Sequence, residues 1–384
     1  MQKEKLVPAI RFKGFDEEWE EYKISELSTY KNGESYEAFF VNNGKYNVIN
    51  LNSITIGGGL KNSNKFVDIC ISSPLKKDDV VICLSDVAHG TLLGAAALIP
   101  FDNKFVLNQR VGLLRIKSDI SPLFFVQSIN NKQPYFKYHG AGSSQLNISK
   151  KCVEDCTITV PTIVEQHKIG KFMSSLNSLI HSQEQKLEKL QTIKQSLLNK
   201  MFASFDQKMP EIRFKEYADE WRKKKINEIL IPIISCLTTS NLSQRDKYPI
   251  FDANDIAGYT SHSMCDVEYL TIIKDGAGVG RVRKLPAGTG FLGTMTGLVP
   301  KNCNIDFAYN LISSLRLEKT YSGSTIPHIY FSDYGKYLVH VPNVWEQQKI
   351  GQFFSNLDSL IHSQEQKLEK LNNVKQSLLE KMFC

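Results

Sequence analysis

The sequence has few of the features that mark a disulfide-stabilised, metal-binding or membrane protein. Its 384 residues include eight cysteines, and no two of them form a C-x-x-C pair. The closest pair, Cys152 and Cys156, has no second Cys or His pair at zinc-ligand spacing, so we expect free, mostly buried thiols in a reducing cytoplasm. The first residues, MQKEKLVPAIRF, lack the apolar core of a signal peptide, and no run approaches the ~18 apolar residues of a membrane span. We therefore expect a cytoplasmic protein.

Motifs of the common catalytic machineries are also missing. The sequence contains no G-x-x-x-x-G-K-[ST] nucleotide loop, no N-P-P-[YF] of an amino-methyltransferase, no nuclease P-D…[DE]-x-K, no H-E-x-x-H and no G-x-S-x-G. The stretch GAGVGR at 276–281 has neither the Lys-Ser/Thr pair nor the following helix of a nucleotide site. A hairpin or exposed loop carrying basic residues is the better interpretation. We expect no catalytic residue and no metal site in this chain.

What the sequence does have is an ordinary globular composition with a mild basic excess. Hydrophobic residues make up 42% and charged residues 23%, and the formal net charge is +7. The length suffices for two or three domains with their own cores. The charge is compatible with an anionic partner but does not identify one.

The chain contains two kinds of internal repeat. The thirteen residues SLIHSQEQKLEKL occur at 178–190 and again at 359–371, within segments 165–202 and 346–383 that agree at 29 of 38 positions. A weaker repeat, here called the opening motif, relates VPAIRFKGFDEEWEEYKISEL at 7–27 to MPEIRFKEYADEWRKKKINEI at 209–229. The chain is thus a duplication in which an opening motif, a variable block and a constant segment follow one another twice.

Each constant segment has the pattern of a long amphipathic helix. Apolar residues recur on two heptad positions, Ile169, Leu176, Leu190 and Leu197 on one and Phe172, Leu179 and Ile193 on the other, while Met173, Ile180, Leu187 and Met201 widen the stripe. Thirty-eight residues would extend roughly 57 Å. Gln183 and Gln364 share one mid-stripe position, where a single polar residue fixes register.

We expect the two helices to pack on each other rather than each on its own domain. If a pseudo-twofold axis relates the copies, the helices are antiparallel and Cys384 lies near the first opening motif. The predicted fold is α/β (α+β), with globular domains at 1–160 and, after a linker, at 204–341, and with antiparallel coiled-coil helices at 161–203 and 342–384. Strand-and-turn patterns such as DDVVICLS and VEYLTIIKDG place short strands in both variable blocks.

The constant segments resemble the conserved regions of the specificity subunit of type I restriction–modification enzymes. The P-x-x-x-E-Q-x-x-I opening and the K-Q-S-L-L-x-K-M-F close carry the resemblance, and the P-x-I-R-F…W motif resembles the start of a target recognition domain. The resemblance covers the whole chain in order. It implies that each variable block reads one half of a bipartite, asymmetric site in double-stranded DNA, while the paired helices set the spacer.

The same resemblance implies the partners of the chain. The helices would bind two methyltransferase subunits and, through them, two restriction–translocase subunits. S-adenosylmethionine, ATP and magnesium are then expected on those partners, and this chain would be non-catalytic.

Reading DNA needs side chains that reach base edges and basic groups that contact phosphates. In the first block the candidates are Lys31, Ser85, His89, Gln109, Arg110, Ser143, Ser144 and Gln145, and in the second block they are Lys274, Arg281, Arg283, Thr294, Thr296, Ser324, Thr325 and His328. Each of them can equally be a solvated loop residue, and the bases read are not determined.

Two other functions compete with this hypothesis. The chain could be a non-catalytic coiled-coil adaptor that joins two protein-binding domains, or an enzyme whose active site lies in one variable block. Nearly identical helices beside divergent blocks favour the specificity subunit, because one constant face can serve two identical partners while two different faces read two half-sites.

Overall fold

The computed structural model describes residues 6–55, 57–87, 91–203, 207–276, 278–320 and 327–383. These form two compact units, residues 1–184 with 367–384 and residues 185–366. Both boundaries between the units fall inside the long helices. Each unit therefore contains one globular domain together with parts of both helices.

The first domain is a mixed α/β domain that leads into the first long helix. Its elements are β1 Glu20–Lys23, α1 Ile24–Leu27, β2 Ser28–Asn32, β3 Tyr46–Ile49, β4 Phe66–Val67, β5 Val80–Cys83, β6 Ser85–Val87, β7 Ala96–Leu98, β8 Phe105–Leu107, β9 Val111–Ile116, α2 Pro122–Asn131, α3 Gln133–His139, β10 Gln145–Asn147, α4 Lys150–Asp155, β11 Thr157–Val160 and α5 Ile163–Lys200.

The second domain repeats most of this order. Its elements are β12 Arg222–Lys225, α6 Ile226–Ile229, β13 Leu230–Ile234, β14 Tyr248–Phe251, β15 Ile256–Thr260, β16 Tyr269–Ile273, β17 Val282–Leu285, β18 Gly290–Phe291, β19 Met295–Pro300, α7 Ile305–Ser314, α8 Phe331–Tyr334, β20 Leu338–Val341 and α9 Val344–Met382.

The sheets show that the duplication extends through the variable blocks. An antiparallel four-stranded sheet has the order β2-β9-β5-β7 in the first domain and β13-β19-β16-β17 in the second. A smaller sheet has the order β4-β3-β8 in one domain and β15-β14-β18 in the other, and β1 pairs with β11 as β12 pairs with β20. Because β5 and β16 lie inside their sheets, their residues are almost all buried, as their continuous apolar runs predict.

The long helices shield one stripe of residues, which differs in part from the predicted one. The shielded positions follow the alternating spacing of four and three that is typical of a heptad seam: Ile169, Met173, Leu176, Ile180, Gln183, Leu187, Leu190, Lys194, Leu197 and Met201, with the equivalent positions in α9. The second predicted position was wrong, since Phe172, Leu179 and Ile193 are 40%, 43% and 49% exposed. Met173 and Ile180 occupy the seam instead.

Where the two helices meet within the second unit, they run antiparallel. Lys194 Nζ lies 2.5 Å from Asp358 Oδ1, and Gln191 Nε2 lies 3.4 Å from Glu365 Oε1. Residue numbers therefore fall along one helix as they rise along the other, as predicted.

The end of each long helix packs on an opening motif. In the first unit Ile10 N donates to the Lys381 carbonyl at 2.8 Å, and in the second Ile212 N donates to the Lys200 carbonyl at 2.9 Å. The ring of Phe383 stacks on Phe124 with centroids 5.8 Å apart. The expected return of the chain to the first opening motif is confirmed as far as Phe383, and Cys384 lies outside the described residues.

The cysteines in the described ranges are free thiols. Cys83, Cys156 and Cys265 are buried, Cys70, Cys152 and Cys303 are half-buried, and Cys236 is exposed. Burial raises the pKa of the Cys83 and Cys156 thiols to about 12. Over the same ranges, no helix has the length and apolar content to cross a membrane, and no group of three or more His, Cys, Asp or Glu residues is placed to hold a metal ion.

Candidate nucleic-acid interface

A buried ion pair ties each long helix to its own domain. In the first unit Arg11 Nε and Nη2 donate to Glu165 Oε1 and Oε2 at 2.8 and 2.7 Å. In the second, Arg213 forms the same bidentate pair with Glu346 at 2.7 and 2.7 Å. Both glutamates are fully buried. The Arg of the opening motif and the Glu of the P-x-x-x-E-Q motif are thus the two halves of one contact.

The glutamine of the same motif fixes the helix that covers the sheet. Gln166 Oε1 accepts from Ser121 N at 2.9 Å, and Gln347 Oε1 accepts from Asn304 N at 2.9 Å, in each case just before α2 or α7 begins. The amide nitrogens donate to the carbonyl oxygens of Pro161 and Pro342. Each amide satisfies an unpaired N–H at the start of a helix.

The glycine of the E-Q-x-K-I-G sequence lets the two helices approach closely. A Cβ at Gly170 would lie 2.8 Å from Phe124 N, and a Cβ at Gly351 would lie 2.6 Å from Asn304 Oδ1. Any larger residue would push α5 from α2, or α9 from α7. The ion pair, the amide and the glycine together form what we call the joint, and it is the same in both units.

The candidate residues of the first domain gather at one end of its four-stranded sheet. Lys31 is the next-to-last residue of β2, Gln109 and Arg110 directly precede β9, and Ser85 lies two residues after β5. Leu84 N, next to Ser85, donates to the Arg110 carbonyl at 3.0 Å. At the same end β6 pairs with β10, which brings Gln145 opposite Val87. We call this end of each sheet the reading end.

The second domain brings its candidates together in the same way. Lys274 follows β16 and donates its backbone N–H to the Thr294 carbonyl at 3.0 Å, directly before β19 begins. Arg281 precedes β17, and Ile329 N donates to the Lys274 carbonyl at 3.0 Å, which places His328 beside it.

Matching hydrogen bonds in the two domains show which positions of the two reading ends are equivalent. In the first domain the backbone N–H of Leu84 donates to the Arg110 carbonyl, and the Leu84 carbonyl accepts from the N–H of Ile148. In the second domain Lys274 makes the same two backbone hydrogen bonds, with Thr294 and Ile329. One residue further on, Ser85 Oγ donates to Asn147 Oδ1 at 2.7 Å, and the matching pair in the second domain is Asp275 with His328 Nδ1 at 2.6 Å.

Asn147 and Asp275 were not among the candidates. The two variable blocks are too divergent to align by sequence, so only the strand pairing reveals that these positions correspond.

Of the two alternatives expected for GAGVGR, a hairpin or an exposed loop, the structure shows a hairpin, since β16 and β17 on either side are paired. Ala277 lies outside the described residues. Arg281 donates to the Ala253 carbonyl oxygen and to Asn254 Oδ1, while Arg283 Nη1 donates to the Asp252 carbonyl at 3.2 Å. Backbone N–H groups of Asp255 and Asn254, and then the charges of the two arginines, hold the pKa of Asp252 below its usual value. Part of each guanidinium is therefore engaged in holding this loop.

The remaining candidates divide by exposure. Lys31, Gln109, Arg110, Ser143, Ser144, Arg281 and Thr294 are exposed, and Gln145, Lys274, Arg283 and His328 are half-buried. Ser85 and Thr296 are only 6% and 8% exposed, so we do not retain them as direct contacts. His89, Ser324 and Thr325 lie outside the described residues. On the helices, Gln183 is half-buried and Gln364 is 5% exposed on the shielded stripe.

A family model described as the type I restriction modification DNA specificity domain matches residues 16–192 and 218–373. The chain belongs to this family. The two matched segments each contain one reading end, the glutamate, glutamine and glycine of one joint, and most of one long helix, so the family pattern follows the duplication. The expectation of a DNA specificity subunit of a type I system is confirmed.

The matches to similar proteins extend over most of this chain. A protein of Mycoplasma pneumoniae named as a type I specificity subunit is 24% identical over 289 residues, which are 71% of this chain and 74% of that protein. The crystal structure of the S subunit of a type I restriction–modification system from M. genitalium matches with a TM-score of 0.70 at 18% identity, covering 98% of this chain and 99% of that one.

A chain from a structural study of complex assembly and conformational transition in the type I R-M system has the same fold. Its TM-score is 0.52 at 14% identity, over 96% of this chain and 98% of that one. At these identities the two structures support the fold of the specificity subunit rather than its sequence preference.

Proposed function

We propose that this specificity subunit reads a bipartite, asymmetric DNA site, with one half read by each reading end. The observation that carries the proposal is the equivalence of the two reading ends. The backbone hydrogen bonds that build them are the same, whereas the side chains at matching positions differ, with Asn147 at the first reading end and His328 at the second. Two reading ends with the same backbone structure but different side chains suit two half-sites of different sequence.

The chemistry of the reading ends fits double-stranded DNA. Exposed Gln, Ser and Arg side chains can donate to and accept from base edges in the major groove, and Lys and Arg contact phosphates. A two-stranded ribbon such as β6 with β10 has a width that the major groove admits. The hairpin between β16 and β17 offers the same kind of element in the second domain.

We further propose that the constant parts bind two copies of a methyltransferase subunit. Apolar residues are exposed at matching places in the two units: Ile10 and Leu179 are 42% and 43% exposed in the first, and Ile212 and Leu360 are 41% and 48% exposed in the second. A contiguous exposed apolar patch marks an interaction surface, and the recurrence of the same exposed positions in both units is what suggests such a surface here. Two like surfaces suit two copies of one partner, to which two restriction–translocase subunits would attach.

In this proposal the specificity subunit itself is non-catalytic. Methyl transfer and DNA cleavage would reside on the partners, which would hold S-adenosylmethionine, ATP and magnesium. The antiparallel helices would set a constant spacer between the half-sites, and Gln183 and Gln364 would fix their register.

The test is to map methylated DNA motifs after coexpression with the cognate methyltransferase subunit. Replacing Ser143, Ser144 and Gln145 by Ala should relax one half of the motif, and replacing Lys274 and Arg281 by Ala should relax the other. A good bidentate base contact is worth about 1–3 kcal/mol of discrimination.

The control for this test is Lys186→Ala, an exposed residue in the middle of α5 and outside both globular domains. It should leave both halves of the motif unchanged. The proposal fails if the two groups of variants alter the same half, or if neither alters the motif.

A further inference from the structure

One strand of the second unit carries a concentration of positive charge that its counterpart lacks. β12 reads Arg222-Lys223-Lys224-Lys225, whereas the equivalent strand β1 reads Glu20-Glu21-Tyr22-Lys23. Three of the four basic residues are exposed and Lys224 is half-buried. The flanking Pro, Ile, Arg, Phe and Trp of the opening motif are the same in both copies. The charge of the strand therefore differs between two copies that share these flanking residues.

The fold does not require this charge. β12 pairs with β20 from Arg222↔Val341 to Lys225↔Leu338, and β1 pairs with β11 in the same register from Glu20↔Val160 to Lys23↔Thr157. The same two-stranded antiparallel sheet thus forms with two glutamates or with four cations in its first strand. Like charges on adjacent residues repel one another, so the basic run has a cost in stability that another role must offset.

The positive charge of β12 is not neutralised inside the unit. Over the described residues, none of the four side chains makes an ion pair, whereas Lys23 in the first unit pairs with Asp155 at 3.0 Å. His340, directly opposite Lys223, is 5% exposed. Burial, followed by the charges of Lys223 and Lys208, lowers the pKa of His340. Glu220, the nearest acid in sequence, is itself paired with Lys208.

Strand β12 lies near the start of α9 in the second unit. Trp221, directly before β12, donates its indole N–H to Glu346 Oε1 at 3.3 Å, near the first residue of α9. The part of α9 that belongs to this unit continues to Gln366, roughly 30 Å further along the helix. Under the proposed function the spacer lies toward that far part of the helix, which puts β12 on the side of the half-site away from the spacer.

We propose that Arg222–Lys225 is a sequence-independent contact for the phosphate backbone of the DNA duplex that flanks the half-site read by the second domain. This rests on the proposed function, since it takes the second domain as a reader of DNA. A run of exposed cations without carboxylate partners fits a polyanion, and such contacts fix position on DNA without carrying sequence information. The first unit, with Glu20 and Glu21 in the same place, has no such contact, so the subunit binds flanking DNA on one side only.

The experiment measures affinity against salt for the complex of the full chain with its methyltransferase subunits. The variant is Lys223→Gln with Lys225→Gln, and the DNA carries the mapped site with a long or a trimmed flank beside the second half-site. With the long flank, the slope of log K against log salt should fall by about 1.8, because each phosphate contact contributes about 0.9. The affinity lost between 50 and 200 mM salt should then be about tenfold smaller than for wild type.

The other measurements separate this proposal from its alternatives. With the trimmed flank, variant and wild type should have equal slopes, and the methylated motif should be unchanged. The control Lys186→Gln with Lys189→Gln removes two exposed lysines of α5, and the difference in slope between the long and the trimmed flank should stay as in wild type.

An unchanged slope on the long flank overturns the proposal, as does an equal loss on both DNAs. Loss of a partner subunit from the complex would assign β12 to a protein contact and would also overturn it. Failure of the proposed function is seen separately, as a wild-type motif that is not bipartite.

Discussion

At the scale of single residues, the joint explains why Glu, Gln and Gly occur at their positions in the E-Q-x-K-I-G sequence. Glu165 and Glu346 receive both donors of a buried guanidinium, the following glutamines hold the start of α2 or α7, and Gly170 and Gly351 allow the helices to touch. A buried ion pair is costly to break, because the remaining partner keeps its charge away from water. These residues are buried, and they hold the domains on the helices.

The first prediction concerns this ion pair. Glu346→Gln keeps the volume of the side chain but leaves the Arg213 charge without a counter-ion, and the second unit should lose about 3–5 kcal/mol of unfolding free energy. Urea denaturation of the chain measures the loss. Asp155→Asn, which breaks the exposed pair with Lys23, is the control and should be close to wild type. Equal stability of Glu346→Gln and wild type would show that the joint does not hold the domain.

At the scale of elements, the long helices present two different apolar stripes. One is shielded and contains Ile169, Met173 and Ile180, and the other is exposed and contains Phe172 and Leu179. Both recur at heptad spacing, so the helix pattern alone fits either of them as the seam. The exposed stripe is repeated in α9 at Leu360 and Val374, as expected for a surface that binds the same partner twice.

The second prediction tests the exposed stripe. Leu179→Glu should remove one methyltransferase subunit from the complex, Leu360→Glu the other, and the double variant both, because each places a charge in an apolar contact. Native mass spectrometry of the coexpressed complex counts the copies. His181→Glu and His362→Glu, on nearly the opposite side of each helix, should leave both copies bound. Retention of two copies by the double variant would place the partner elsewhere.

At the scale of the whole chain, the duplication provides two equivalent joints and two nearly identical helices. Each helix starts at the joint of one domain, and the end of each packs on the opening motif of the other repeat. A constant frame of this kind allows the side chains of the reading ends to diverge without altering how a domain is held. The proposed spacer length then depends on the helices and not on the domains.

The third prediction tests the helices as the determinant of the spacer. Inserting one matching heptad after Leu190 and another after Leu371 adds about 10.5 Å to the helices. At about 3.4 Å per base pair, the nonspecific spacer should lengthen by about three base pairs while both half-sites stay the same. Motif mapping of the active complex gives the result. Binding should also weaken, because the insertion rotates one domain around the DNA. An active complex with the original spacer would contradict the prediction.

The sequence by itself determined the duplication, the two long helices, the α/β class of the domains and the family. These follow from local patterns: identical segments, heptad periodicity, and short apolar runs between turns. The prediction of a hairpin or exposed loop at GAGVGR used the same kind of evidence, since the glycines and the absence of a following helix are local features, and the pairing of β16 with β17 shows which of the two it is.

Only the tertiary structure decided which residues form each reading end. Strand pairing joins Ser85 to Asn147 and Asp275 to His328, across 62 and 53 positions of the chain. Such register depends on how whole strands bury their apolar faces, which no short segment specifies. The choice between two heptad stripes was likewise settled by packing, because Met173 and Phe172 are both apolar and only contact with neighbouring elements buries one of them.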